Sequence, residues 1–190
     1  PKYLNSPESR VFNKSGTLYG LPQASRSIQR AKRAVITEGY MDTIACHQAG
    51  VTNVVATLGT ALTREHAVIL RRVCEEVILL FDGDAAGQRA ADRAVEVFFA
   101  EPLDVRIATL SSVTDAKDPD ELLKTPGGLE LLNQAIEKAT DLLRYRLGRV
   151  EAAMAGSGVN ARGRAMQEEI GRLVELGLAD LDPIRRRMII

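Results

Sequence analysis

Four adjacent residues near the middle of the chain, Val77-Ile78-Leu79-Leu80, are all apolar and run directly into Phe81-Asp82-Gly83-Asp84-Ala85-Ala86-Gly87. A short run with no polar interruption is apolar on both faces, which predicts a strand buried between two layers of a parallel sheet. The strand is predicted to stop at Asp82. Side chains two apart on an extended segment share a side, so Asp82 and Asp84 would present two carboxylates together at the strand's carboxyl end. Gly83 and Gly87 let the backbone turn tightly, and Ala85 to Phe99 has the periodicity of a helix packed back on the sheet. Open α/β sheets bind their ligands at that end of the strands. Taken alone, Asp-Gly-Asp reads equally well as a solvated turn.

The same strand-then-helix unit recurs along the chain. Ala34 to Thr37 is a strand ending at Glu38; Gly39-Tyr40 turns, and Met41 to Gln48 is a helix closed by Gly50. Val54 to Thr57 is a second strand with Leu58-Gly59-Thr60 as its exit loop. Thr63 is a predicted N-cap, with Glu65 and His66 in the first turn, for a helix to about Val73. Val105 to Thr109 follows the helix after Phe81 as a further strand. The fold class is therefore α/β, a parallel sheet flanked by helices. Right-handed crossovers would put Glu38, the Gly59 loop and Asp82/Asp84 on one edge of it.

Residues 1–33 are polar and irregular, predicting turns, short strands and a short helix over Ser25 to Arg33. Their interleaved aromatic and basic residues suit either base stacking with phosphate contacts or a solvated linker. Residues 128–190 carry no strand signal. Leu129, Leu132, Ile136, Ala139, Leu142, Leu143 and Leu147 predict one amphipathic helix, Gly156-Ser157-Gly158 a break, Arg164 to Leu176 a second helix, and Pro183 the opening of a third. We read three units: 1–33, a central domain over 34–125, and a small helical bundle over 126–190 as a separate lobe. The arginines of the tail read as a solvated face.

Composition narrows the class further. Lys plus Arg equals Asp plus Glu at 25 each, so net charge does not announce a nucleic-acid binder. Aromatics are 4% with no Trp, which leaves an aliphatic, Ala-rich core. Cys46 and Cys74 form no CxxC and have no paired His at ligand spacing, so they read as buried small hydrophobes in a reducing, cytoplasmic compartment. No apolar stretch approaches a membrane span and there is no signal peptide. The chain opens on Pro1 without Met and looks like a piece of a longer protein.

Thr114 to Glu121 carries a further carboxylate pair, Asp118 and Asp120, around Pro119, which suits the first turn of a short helix over Asp120 to Lys124. An N-cap accounts for that pair as well as a site does. Asp42 follows Glu38 at a spacing that could bring it to the same place on a helical turn. Glu38, Asp42, Asp82, Asp84, Asp118 and Asp120 converging on one rim would repel one another unless cations neutralised them. With no His or Cys in the set, an all-oxygen site fits Mg²⁺, or Mn²⁺ as a substitute, and disfavours zinc.

At these residues the chain resembles the Toprim domain, and within it the bacterial DnaG-type primases. Glu38 after the first strand and Asp82/Asp84 after the third match the Toprim order. The strings Glu38-Gly39-Tyr40-Met41-Asp42, Leu58-Gly59-Thr60, Phe81-Asp82-Gly83-Asp84 with Ala86-Gly87, Asp118-Pro119-Asp120, Pro1 to Glu8 with Lys14, and Leu18-Tyr19-Gly20-Leu21 are similar to primase sequences. The resemblance covers about residues 1–125 strongly and the tail weakly. It implies synthesis of short RNA primers on single-stranded DNA from ribonucleoside triphosphates by two-metal nucleotidyl transfer. Glu38, Asp82 and Asp84 are the implied catalytic carboxylates, Asp82, Asp84, Asp118 and Asp120 the implied metal ligands, Glu38 a ligand or a base, and Asp42 its support or a further ligand. Lys2, Tyr3, Asn5 and Lys14 are the implied nucleotide contacts. A replicative helicase would be met through a carboxyl-terminal domain that this stretch lacks, and zinc belongs to an amino-terminal domain that it also lacks. The protein is expected to be a monomer, and the isolated stretch weakly active or inactive. The alternatives are a Toprim nuclease or topoisomerase-like strand-cleaving domain, and a Toprim binding module such as a recombination mediator; no Cys cluster supports the latter.

Overall fold

The computed structural model describes residues 6–10, 12–81, 85–99, 101–184 and 187, with the side chains of all but 81, 85–89 and 180 among them. Five strands form one sheet in the order β2-β1-β3-β4-β5. They are β1 Arg33–Thr37, β2 Val54–Ala56, β3 Glu76–Phe81, β4 Asp104–Thr109 and β5 Thr140–Asp141. The first four are parallel and β5 pairs antiparallel with β4.

Alternation along the strands decides which helix covers which face. Ala34, Ile36, Val55, Val77, Leu79, Val105 and Ile107 share a hydrophobic cluster with α1 (Leu21–Ala31), α3 (Arg64–Leu70) and α4 (Ala85–Phe98), which contribute Ala24 and Ile28, Ala67 and Leu70, and Ala94 and Phe98. The intervening residues Val35, Val54, Ile78, Leu80 and Ala108 share a second cluster with α2 (Tyr40–Gln48), α5 (Pro119–Leu123) and α6 (Gly128–Glu137), through Cys46, Leu122, Leu132, Ala135 and Ile136. Ile78, Leu79 and Leu80 are at most 1% exposed, so each contributes about 1.5–3 kcal/mol of burial free energy. The core is aliphatic and rich in Ala, as the composition indicated.

The sheet is mixed through β5 alone, a strand in the stretch 128–190 that was expected to hold none. The apolar spacing from Leu129 to Leu147 belongs to two helices, α6 and α7 (Leu142–Ala153), which lie in different layers. Between them the chain passes the edge of β4 as β5, pairing Arg106 with Asp141 and Ile107 with Thr140. Arg106 fixes the break: its Nε donates to the Ala139 carbonyl at 2.8 Å and its Nη2 to the Glu137 carbonyl at 3.3 Å, taking carbonyls at the end of α6. Asp141 then caps α7, its Oδ1 accepting the N–H groups of Leu143 and Arg144 at 3.0 Å. The three-and-four spacing simply continued across the crossing.

The α6 helix packs on the sheet face shared with α5, while α7 and α8 (Val159–Glu175) bring Leu142 and Leu173 to the opposite face. α8 begins directly after Gly158, five residues before the predicted Arg164. Arg146 of α7 pairs with buried Glu169 of α8. Helical backbone resumes at Pro183. In the amino-terminal segment two single bridges, Ser9 with Phe12 and Tyr19 with Ala56, and a 3-10 turn over Lys14–Gly16 replace regular strands. α1 starts at Leu21, four residues before the predicted Ser25, because Pro22 presets the first turn and Ala24 and Ile28 place an apolar pair on one face.

Candidate metal centre at the carboxyl edge of the sheet

The strand order places β2 on one side of β1 and β3 on the other, so the chain reverses its direction of progress between β1 and β3. The ligand crevice of an open α/β sheet lies at such a switch point, outside the carboxyl ends of the two strands. The register sets these ends side by side: Ile36 pairs with Leu79, and β1 stops one residue later at Thr37. Glu38 follows as an exposed residue in the bend before α2. β3 stops at Phe81 and α4 starts at Ala85. Asp82 and Asp84, and likewise Lys2, Tyr3 and Asn5, lie outside the described residues.

The remaining acidic residues come together from two helices. Gly39, with extended φ −113° and ψ 153°, is the N-cap of α2, so Asp42 sits in its first turn. Glu38 precedes that cap and is not helical, which corrects the idea that Glu38 and Asp42 share a helical turn. Asp42 reaches α5 instead: its Oδ1 accepts the N–H of Asp120 at 3.3 Å. Its carboxylate also accepts the N–H of Gly39. Burial first, and the charge of Asp118 second, push the Asp42 carboxyl above its ordinary range, while the two backbone N–H groups oppose the shift.

Asp118 is the N-cap of α5, its Oδ1 accepting Glu121 N–H at 2.7 Å, and Pro119 occupies the first turn. Asp120 Oδ2 accepts from Lys124 Nζ at 2.6 Å, the lysine largely exposed and Asp120 half-buried. The sequence left cap and site as alternatives for Asp118; the cap is present, and its Oδ2 is not used by it. Among the described residues no three His, Cys, Asp or Glu side chains converge closely enough to hold a metal ion. Among the described residues Asp42, Asp118 and Asp120 bring carboxylates to the crevice, and Asp42 and Asp118 interact as like charges that a hard cation would relieve.

Two features beside the crevice carried no strong sequence signal. Tyr40, the first residue of α2, meets Tyr19 with ring centroids 4.8 Å apart, and Tyr19 exchanges backbone hydrogen bonds with Ala56 of β2. His66, fully buried, completes a capping box with Thr63. Its Nδ1 accepts Thr63 N–H at 3.3 Å, so the proton sits on Nε2, which donates to the carbonyls of Lys14 and Thr17 at 3.2 Å each. Lys14 is thereby anchored through its backbone in the 3-10 turn over α3. A Thr-x-x-His string at a helix start was the available signal for this box.

Comparison with known proteins places this arrangement. Residues 35–123 match a family described as Toprim-like. The DNA primase of Clostridium acetobutylicum is 36% identical over 190 residues, which is 100% of this chain and 30% of that protein. The E. coli primase catalytic core superposes with a TM-score of 0.79 at 34% identity, over 93% of this chain and 56% of that one. The RNA polymerase domain of Mycobacterium tuberculosis primase DnaG, solved with a double-stranded DNA oligomer bearing a 6-nucleotide overhang, superposes with a TM-score of 0.71 at 34% identity, over 99% and 58%. The chain thus spans about a third of the length of that curated relative. With the Toprim-like match centred on the switch-point sheet and the whole chain aligning with primase cores, the chain belongs to the bacterial DnaG-type DNA primases and corresponds to the Toprim-containing part of their catalytic core.

Proposed function

We propose that this chain carries the nucleotidyl-transfer centre of a DNA-directed RNA polymerase that makes short RNA primers on single-stranded DNA during replication. The observation that carries the reading is the meeting, beside the β1–β3 switch point, of Asp42 in the first turn of α2 with Asp118 and Asp120 at the start of α5. In this reading residues 34–125 hold the centre, 1–33 supply nucleotide contacts and 126–190 buttress the sheet. Asp82, Asp84, Asp118 and Asp120 hold the divalent ions, with Glu38 either a further ligand or the base that takes the proton from the attacking 3′-hydroxyl. Bound there, Mg²⁺, or Mn²⁺ in its place, lowers the pKa of that hydroxyl and neutralises charge on the departing pyrophosphate. Lys2 and Lys14 meet the triphosphate, Tyr3 stacks on the base and Asn5 hydrogen-bonds it. The Mycobacterium tuberculosis relative, solved with DNA carrying an overhang, supports a single-stranded template as partner. A cytoplasmic monomer that meets the replicative helicase through a further domain, with zinc confined to another, completes the proposal.

Calorimetric titration of Mn²⁺ tests the centre without requiring other domains. The chain should bind Mn²⁺, and Asp82→Asn and Asp84→Asn should each lose at least about tenfold in affinity with unchanged circular dichroism. A chain that binds no Mn²⁺ even with a ribonucleoside triphosphate present would refute the reading.

A further inference from the structure

The first turn of α5 poses a donor problem that Asp42 solves. A helix leaves its leading N–H groups without intrahelical partners. Pro119 has no N–H, Glu121 N–H goes to Asp118 Oδ1 at 2.7 Å, and Leu122 N–H to the Asp118 carbonyl at 3.1 Å. The Asp120 N–H is left, and it goes to Asp42 Oδ1 at 3.3 Å. The same carboxylate accepts the N–H of Gly39, the N-cap of α2. The close approach depends on glycine, since a Cβ at position 39 would lie 2.6 Å from Asp42 Oδ2. One side chain therefore serves orphan donors at the starts of two helices.

We propose that Asp42 is a positioning residue and not a metal ligand: it staples the start of α5, with Asp118 and Asp120, to the start of α2, beside Glu38. α5 has only five residues, too few to hold a helix by its own hydrogen bonds. Its place is set by the burial of Pro119 and Leu122 and by this staple. A carboxylate suits the task because its two oxygens can each take a backbone N–H, whereas an amide offers one acceptor oxygen. The inference rests on the proposed metal centre only for its second experimental arm.

The first arm needs no metal. Amide hydrogen exchange is followed at Asp120 in metal-free protein. Asp42→Ala should speed exchange there by at least about tenfold, while Asp42→Asn, which keeps one acceptor, should preserve most of the protection. Equal exchange in the parent and Asp42→Ala would overturn the staple. The second arm titrates Mn²⁺ into the same proteins and into Asp118→Asn. Asp42→Asn should keep the number of ions and stay within about threefold of the parent affinity, whereas Asp118→Asn and Asp42→Ala should each fall by about tenfold or more. If Asp42→Asn loses Mn²⁺ as completely as Asp118→Asn while its Asp120 exchange is unchanged, Asp42 is a ligand and the proposal fails. A parent that binds no Mn²⁺ overturns the metal centre, and the exchange arm still decides the staple.

Discussion

Gly128→Ala tests how the α5–α6 corner is packed. A Cβ built at position 128 would lie 2.1 Å from the carbonyl oxygen of Leu122, 2.9 Å from its carbon and 3.2 Å from the Leu123 Cα. The closest carbon–oxygen contacts in proteins are about 3.3 Å, so the methyl falls short by roughly 1 Å. The obstacle is backbone, which no rotamer change can move aside. Either α5 shifts away from α6, taking Asp118 and Asp120 with it, or the start of α6 unwinds. Overpacking of this kind costs about 1–3 kcal/mol, and with a main-chain obstacle the upper end applies. In a chain of this size that lowers Tm by roughly 6–12 °C. The same substitution at Gly171, within α8 and with nothing inside 4 Å of the added carbon, should instead stabilise by about 0.5–1 kcal/mol by removing glycine's backbone entropy. Both are read by urea unfolding with the slope held common. A Gly128→Ala protein within about 0.5 kcal/mol of the parent would refute the packing argument, as would two variants that move in the same direction.

Two further outcomes follow from buried groups. Burial holds the His66 pKa below its ordinary value against the pull of the Lys14 and Thr17 carbonyls. The unfolded chain therefore takes up the proton first, so the stability tied to neutral His66 is complete above about pH 6.5 and is lost as pH falls from there through the folded pKa, by up to about 1.4 kcal/mol per pH unit. Urea midpoints at pH 7.5 and 5.5 should show the loss, and His66→Gln should flatten it; an equal pH dependence in the variant would count against this assignment. Burial also pushes the Cys46 thiol up to about 12 and that of Cys74 to about 11. A disulfide exchange reagent at pH 8 should find no reactive thiol in the native chain and two in denaturant, whereas rapid labelling of the native protein would contradict the burial of both.

The parallel strands were legible because their central residues are mostly apolar on both faces. Val77 to Leu80 can be buried only between two helical layers, and the structure divides them by parity, Val77 and Leu79 to one cluster and Ile78 and Leu80 to the other. The crossing at β5 was not legible for a related reason. Ile136 and Ala139 face one layer and Leu142 the other, yet their spacing in sequence is that of a single helix. Periodicity reports that a residue is buried and not against which face. The only local signals of the break were Thr140-Asp141 as strand and cap, and Arg106 on a distant strand, whose grip on the Ala139 carbonyl no window around residue 139 contains. In the same way the expectation of gathered carboxylates came from a charge argument, that like charges on one rim demand an explanation, and Asp82 and Asp84 of that set lie outside the described residues. What the structure adds, the assignment of Asp42 to α5, was not legible in advance, since it depends on a backbone N–H far along the chain.

At Asp118-Pro119-Asp120 the structure shows the cap, and the cap leaves room for the proposed site. Pro119 removes one donor and Asp118 Oδ1 satisfies another, so the rules of helix capping fix the place of the segment. Capping uses one oxygen of Asp118 and none of Asp120, whose Oδ2 meets, among the described residues, the exposed ammonium of Lys124. A pair open to solvent at its lysine end contributes little. In the proposed reading Asp118 and Asp120 would hold a divalent cation in place of the Lys124 ammonium, with their backbone geometry already set by the cap and by Asp42. Preorganisation of that sort lowers the entropy lost on binding. In that proposal the short helix α5 would set the geometry of the centre, since a cap at Asp118 uses only one of its oxygens and leaves the other free of the cap.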